Sequence, residues 1–353
     1  MTEMSADLEM LAHIQSTVSP DTAYRARLLN ELKSIHIVTP DDDKIAAELD
    51  LMVANILAGS SVGYALTITG KSGAGKSASL DRCLNAHPSF APFEGRYNRL
   101  SLSLRATTPA STTLKTLGKE LLQMSGYEMA LSTDEDENWR TLIRRMKIMQ
   151  TKVLVLDEFQ HVLDAPTSKK YMHLTNSIKN LTQMIDWPIW LIICGIPEIK
   201  DFIARDVRGQ LDRRAPLVEF EGMKDVNEDR ERVEDTIYAL AESCELELGF
   251  ALTRDFVMRL MHGGIWRFGT TVHIIKNAIE KSLWDKNWSR GKRGSLTVEH
   301  FALGYKRLAR NCPDETNVFN LSIKDWHYIQ REVDDKGRLV DPASVKRRRS
   351  RSE

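Results

Sequence analysis

Cysteine is scarce in this chain and nowhere paired. Cys83, Cys194, Cys244 and Cys312 are the four among 353 residues, and no two stand in a Cys-x-x-Cys spacing. That pattern argues against a zinc ribbon or a disulfide framework and points to a reducing compartment. An excess of charge of one sign is also lacking: 49 basic residues match 49 acidic ones, for a formal net charge of zero. No global field therefore draws the chain to nucleic acid, and any such contact has to come from local patches. Long apolar runs are missing too, and none approaches the roughly 20 residues needed to cross a bilayer. The stretch Met1–Asp7 is acidic and has no apolar centre of the kind a secretory signal requires. No internal repeat is evident. The expectation is a cytoplasmic protein of one large domain or two modest ones.

What the chain does have is one octapeptide, Gly70-Lys71-Ser72-Gly73-Ala74-Gly75-Lys76-Ser77. It follows the apolar run Tyr64–Thr69 and opens the helix-compatible stretch Ala78–Leu84. Strand, glycine loop and helix together are the context a phosphate-binding P-loop requires. Glycines let the backbone curl so that successive N–H groups point inward at phosphate oxygens. The helix N-terminus adds partial positive charge there. Gly70, Ser72, Gly73, Ala74 and Gly75 would wrap the phosphates, with Ala78 in the first helical turn. Lys76 would reach the β- and γ-phosphates and Ser77 would ligate Mg²⁺. The ligand implied is ATP with Mg²⁺.

A second feature turns binding toward hydrolysis. Val153-Leu154-Val155-Leu156 is a short aliphatic run, as in a strand buried on both faces, and it ends in Asp157-Glu158. An acid at the end of such a strand can hold the Mg²⁺ shell, which assigns Asp157. A second carboxylate one residue on can activate water, which assigns Glu158. A phosphotransferase gains nothing from that second acid, so the pair favours an ATPase over a small-molecule kinase.

Periodicity supplies the rest of the plan. Strands are expected at Tyr64–Thr69, Arg99–Leu104, Val153–Leu156, Ile189–Cys194 and Pro216–Phe220. Helices are expected over Thr22–Lys33, from Lys44 to about Leu57, after a cap at Ser111 or Thr112, over Trp139–Met149 and over Tyr171–Ile185, with one ending at Gln210–Arg214. From Asp225 the strand signal stops, and helices follow at Asp229–Cys244, Arg254–Met261, Thr270–Trp284 and Val298–Arg310. The fold class expected is α/β: a parallel five-stranded sheet between helices, followed by a small helical lid. The domains read as 1–57, an N-terminal helical segment; 58–222, the nucleotide-binding core; 223–310, the lid; and 311–353, a C-terminal segment with a basic tail.

Five strands around a P-loop with a helical second domain resemble an AAA+ ATPase. That resemblance implies ATP bound at a subunit boundary, with a neighbour's arginine neutralising charge on the γ-phosphate. Arg213-Arg214 stands where that finger is usually found, Arg214 slightly ahead of Arg213. Arg267, after Gly263-Gly264-Ile265-Trp266, fits the sensing arginine of AAA+ lids. The polar residue usual after strand four is missing, since the chain there reads Cys194-Gly195-Ile196-Pro197-Glu198. Slow, regulatory hydrolysis is the expectation.

Within AAA+ proteins, the core is similar to the TniB/TnsC group of transposition ATPases over roughly residues 35–310. The discriminating segments are Leu154-Val155-Leu156-Asp157-Glu158-Phe159-Gln160-His161 and Gly195-Ile196-Pro197-Glu198, with Gln210-Leu211 before the arginines. The resemblance implies an ATP-state homo-oligomer, a ring or helical filament, on double-stranded DNA without sequence preference. It implies a link between a target-selection protein, TniQ/TnsD-like, and a transposase, with hydrolysis driving disassembly and the protein associated with a bacterial nucleoid. Candidate phosphate contacts are Arg105, Lys115, Lys169 and Lys170. The segment Asn317–Arg331 carries apolar residues suited to a protein partner, and Lys346–Arg351 is a basic tail. The competing readings are another AAA+ DNA regulator, replication-initiator or clamp-loader-like, and a STAND-type signalling NTPase. The first would carry a winged helix after the lid, and the second long repeat arrays.

Overall fold

The computed structural model describes residues 2–96, 98–109, 112–127, 134–163, 176–177, 180–204, 216–309, 312–329, 332–333 and 339–340. The chain divides into two compact units, Val38–Glu221 and Met1–Ile37 with Gly222–Glu353. The expected 1–57 segment is thus shared between them. Helices α1 (Thr2–Thr17) and α2 (Pro20–Ser34) belong to one unit and α3 (Pro40–Leu57) to the other.

The unit Val38–Glu221 is built on a parallel sheet of β1 (Ala65–Gly70), β2 (Ser103–Thr107), β3 (Val153–Asp157), β4 (Trp190–Gly195) and β5 (Leu217–Phe220), in spatial order β2-β3-β4-β1-β5. Burial follows strand position. Every residue of the inner strands β1 and β4 is buried, whereas the edge strand β5 alternates and leaves Leu217 48% exposed. That difference is why the inner strands read as continuous aliphatic runs.

The two-residue period of the strands sorts side chains onto two faces. Leu154, Leu156, Leu191 and Ile193 pack with Leu117, Leu121, Leu142 and Met146 of α5 (Leu114–Met124) and α6 (Glu135–Ile148). Val153, Val155, Trp190 and Ile192 pack on the other side with Ile45, Leu49 and Met52 of α3 and with Leu80 and Leu84 of α4 (Lys76–Ala86).

Local chemistry sets the helix starts. Pro40 opens α3, and the Asp42 carboxylate accepts from the Thr39 N–H at 2.7 Å, so the helix begins four residues before the expected Lys44. Thr113, rather than Ser111 or Thr112, caps α5 by accepting from the Thr116 N–H at 3.2 Å. Asp134 caps α6, whose first turn carries Glu135, Asp136 and Glu137 and whose last carries Arg145 and Lys147.

The second strand departs from expectation. Arg99–Leu100 pairs with Phe93–Glu94 in a separate antiparallel ladder, and β2 joins the main sheet only from Ser103. The break lies at Ser101–Leu102, where the Leu102 carbonyl accepts from the N–H groups of both Lys152 and Val153. Alternating Leu and Ser do not distinguish one continuous strand from two. Short α7 (Gln160–Leu163) and α8 (Ile199–Ala204) follow β3 and β4. The expected helices at Tyr171–Ile185 and before Arg214 fall largely or wholly outside the described residues.

In the other unit, α2 packs with α9 (Asn227–Ser243), α10 (Arg254–Gly263), α11 (Phe268–Leu283) and α12 (Val298–Leu308) around Val233, Ile237, Leu260, Ile275 and Phe301. A Cβ at Gly304 of α12 would lie 2.7 Å from the Ala278 nitrogen, so glycine permits the close approach of α12 to α11. The expectation of helices only is corrected. β6 (Leu246–Leu248) and β7 (Gly294–Leu296) form a parallel two-stranded ladder, too short to register as a period in the sequence.

The segment after Asn317 is folded onto its own unit. Phe319 and Trp326 are buried, while Leu321 and Tyr328 face solvent. Arg259, 5% exposed, holds it: Nε donates to Asp255 at 2.7 Å, and the guanidinium donates to the carbonyls of Val318, Asn320 and Ile323 at 3.0–3.1 Å. Arg259→Ala leaves three carbonyls without their donor, while the exposed Asp255 carboxylate keeps its bond from Trp326, and is expected to destabilise this unit by about 2–4 kcal/mol. Arg259→Lys recovers only part of the loss, because an ammonium cannot reproduce the planar fork. Urea denaturation of both variants measures the difference.

Candidate active site

In an open parallel sheet, ligands bind beyond the carboxyl ends of the strands. Here β3, β4 and β1 are adjacent, and their carboxyl ends carry Asp157-Glu158, Cys194-Gly195 and the loop Gly70–Ser77 respectively.

The loop has the curl that its glycines suggest. Gly73 and Gly75 adopt φ of +81° and +109°, a region open to glycine at little cost. A Cβ on Gly70 would lie 2.7 Å from the Phe220 Cβ, so glycine is also what lets β1 leave the sheet beside β5. Lys76 begins α4 and is 6% exposed, with Nζ donating to the carbonyls of Gly70 at 2.8 Å and Lys71 at 3.3 Å. The first intrahelical bond runs from the Ser79 N–H to the Gly75 carbonyl, so the N–H groups of Lys76, Ser77 and Ala78 precede the helical ladder. A buried ammonium, a helix N-terminus and a glycine-curled backbone make a strongly electropositive cradle, which fits a polyphosphate.

The acidic side is formed at the end of β3. Glu158 has φ of +53°, a left-handed conformation that turns the chain sharply after the strand. Its N–H donates to Asp157 Oδ1 at 2.8 Å, and the Phe159 N–H donates to the Cys194 carbonyl at 3.0 Å. Phe159 is wholly buried and anchors the turn. Hard carboxylate oxygen from Asp157 and hydroxyl oxygen from Ser77 are donors suited to Mg²⁺.

Cys194 lies between the two sides. Burial, and then the neighbouring Asp157 carboxylate, push its thiol pKa well above the ordinary value. Lys76, Asp157 and Glu158 all act electrostatically on this one sulfur, from the loop after β1 on one side and the end of β3 on the other. The group opposite the acids is therefore a neutral thiol, with Ile196 after it.

The remaining candidates sit as follows. Arg267 immediately precedes α11, after two non-glycine residues in left-handed conformation, Ile265 (φ +51°) and Trp266 (φ +57°). Burial lowers the Arg267 pKa. The turn is held by the Trp266 carbonyl accepting from the Met223 N–H at 2.8 Å. Arg105 lies within β2, half-buried, donating to Asn85 of α4 at 2.7 Å, while Lys115 is exposed in the first turn of α5. Arg213, Arg214, Lys169 and Lys170 lie outside the described residues, as does the basic tail Lys346–Arg351.

Sequence reading passed over two features. Gln160 bonds to Glu158, and its only signal was a place in the motif Asp-Glu-Phe-Gln. Lys286, Arg290, Lys292 and Arg293 form an exposed basic loop between α11 and β7, hidden by a net charge of zero.

Comparison with known proteins gives this geometry its setting. The family model described as bacterial TniB protein matches residues 27–224, more than half of the chain. The structure is similar to that of the ORC2 protein of Aeropyrum pernix, solved as ADPNP–ADP complexes. The two share 13% identity at a TM-score of 0.56, over 78% of this chain and 70% of that one. It is also similar to CDC6P from Pyrobaculum aerophilum, at 14% identity and a TM-score of 0.54, over 79% and 70%. No curated protein matches significantly. At these identities the solved structures speak for the fold, an AAA+ P-loop NTPase sheet with a further helical region toward the C-terminus, and the family match speaks for descent. With its P-loop and its Asp-Glu strand end both inside the matched span, this chain belongs to the bacterial TniB family and is an AAA+ ATPase.

Proposed function

We propose that the chain binds ATP with Mg²⁺ in the loop Gly70–Ser77, and that its ATP-bound copies assemble on double-stranded DNA to connect target-site selection with a transposase. The observation that carries the reading is a glycine-curled loop holding buried Lys76 and the Asp157-Glu158 pair at the carboxyl ends of the two strands that flank β4, in a chain of the TniB family. Lys76 draws in the β- and γ-phosphates, with backbone N–H groups from Gly73 to Ala78 beside it. Ser77 and Asp157 hold Mg²⁺. Bound there, the ion would offset the negative charge of the phosphates. Asp157 is oriented by the Glu158 N–H. Glu158 takes a proton from the attacking water, with Gln160 engaging its Oε2. Arg214, or Arg213, of a neighbouring copy serves as the finger and Arg267 as the sensing arginine. With Cys194 and Ile196 in place of a polar pair after β4, hydrolysis is slow and acts as a timer that ends the assembly.

DNA is held through its backbone, without sequence readout. Lys115, Lys169 and Lys170 are the contacts expected from sequence, joined by the basic loop at Lys286–Arg293. Arg105, already engaged with Asn85, is the weakest of that set. Within the basic loop, Arg290 and Arg293 lie 3.8 Å and 3.6 Å from Asp21 and Glu247, so Lys286 and Lys292 are the better phosphate ligands. Lys286→Ala with Lys292→Ala is expected to weaken binding to all duplex sequences alike and to reduce the salt slope by about 2. Fluorescence anisotropy across a potassium chloride series measures it.

The decisive experiment is negative-stain imaging with duplex DNA in the presence of a slowly hydrolysed ATP analogue or of ADP. Rings or filaments formed only with DNA and the triphosphate are expected. A monomer in every nucleotide state would overturn the assembly reading. The transposase and the TniQ/TnsD-like protein are then tested for binding to the assembled form.

A further inference from the structure

Gln160 is 9% exposed, and its side chain spans two elements of the site. Nε2 donates to Glu158 Oε2, and Oε1 accepts from the Ile196 N–H at 3.3 Å. The chemistry permits one orientation of the amide. A carboxylate only accepts and a backbone N–H only donates, so a flipped amide would lose both bonds. Gly195 makes room for it: a Cβ there would lie 2.3 Å from Gln160 Oε1 and 2.4 Å from Ile199 Cδ1. Ile196 offers no polar side chain to the site, so the link from the loop after β4 to the acidic pair runs through the backbone of Ile196 and the side chain of Gln160.

We propose that Gln160 is a positioning residue that holds the Glu158 carboxylate against the loop following β4, supplying the polar link that the Ile196 side chain cannot make. The proposal rests on the reading of Glu158 as the residue that activates water. Two consequences follow from the geometry. The glycine at 195 is required by the amide of Gln160, so enlarging it acts on Glu158 at one remove. Among the described residues the Gln160 amide is the hydrogen-bond partner of the Glu158 carboxylate, so losing it frees the carboxylate, while the phosphate loop lies on the far side of β4.

The test uses the full chain. Gln160→Leu keeps volume and removes both bonds, Gln160→Asn is the shorter conservative change, and Gly195→Ala displaces the amide. Without nucleotide, amide exchange at Ile196 is expected to be about tenfold faster in Gln160→Leu and Gly195→Ala, the loss of one buried hydrogen bond. With saturating duplex DNA and Mg²⁺, single-turnover hydrolysis is expected to fall about tenfold in both, while KM and the Kd for a fluorescent ADP analogue stay within about twofold. Gln160→Asn recovers part of the rate. Combined with Glu158→Gln, Gln160→Leu costs nothing further, because the residue acts through Glu158. Retained nucleotide binding verifies that each variant is folded. Unchanged Ile196 exchange, or a wild-type rate in Gln160→Leu while Glu158→Gln is impaired, would overturn the proposal alone. A wild-type rate in Glu158→Gln would overturn the hydrolysis reading, and the proposal with it.

Discussion

Glu158→Gln is expected to lower ATP turnover by about 10²–10⁴-fold, the usual contribution of a positioned general base, while leaving nucleotide affinity nearly unchanged. The substitution is close to isosteric. Glu158 stays in its left-handed turn, because that turn is set by the backbone bonds of Glu158 to Asp157 and of Phe159 to Cys194 and not by the carboxylate. What is lost is the site that takes the proton. Single-turnover hydrolysis and fluorescent-nucleotide titration, run side by side, separate the two effects. The variant should also prolong the assembled state on DNA, since disassembly is assigned to hydrolysis. Equal loss of binding and turnover would instead mean that Glu158 acts in the ground state and that the water-activating role is wrong.

Lys76→Met is expected to abolish useful ATP binding. Removing a buried cation from a phosphate site costs about 2–5 kcal/mol, a loss in affinity on the order of 30-fold or more. Methionine keeps most of the stem's volume, which matters because the lysine stem fills the loop beneath Gly70. The two carbonyls that Nζ caps, those of Gly70 and Lys71, lose a donor as well, so a modest fall in melting temperature accompanies the loss. Titration with a fluorescent ATP analogue is the measurement. An affinity within threefold of wild type would show that the cradle binds something other than a polyphosphate.

The fold was legible to the extent that burial leaves a period in the sequence. β1, β3 and β4 are covered on both faces, and buried parallel strands read as uninterrupted aliphatic runs. The helices packed on them showed 3.6-residue stripes, as in Ile45, Leu49 and Met52. Where burial is one-sided or the element is short, the signal failed. The Arg99–Leu104 alternation concealed a break at Ser101–Leu102, and β6 and β7 are three residues each, below the length at which alternation can be distinguished from chance. The apolar residues after Asn317 suggested a docking surface, yet Phe319 and Trp326 lie in the core of their own unit, because apolar content does not say which surface will cover it.

Sequence by itself determined the loop Gly70–Ser77, the acidic strand end at Asp157-Glu158 and the positions along the chain of the buried strands that carry them. Each depends on local backbone chemistry: glycine's access to positive φ, a helix start, a strand that stops. Tertiary structure alone decided the rest. That Cys194 faces Asp157, that Gln160 reaches from Glu158 to Ile196, and that Gly195 is the space in which the amide sits all come from strands 30 or more residues apart lying side by side. Such contacts leave no period and no spacing in the chain, since they depend on which strands the sheet makes neighbours.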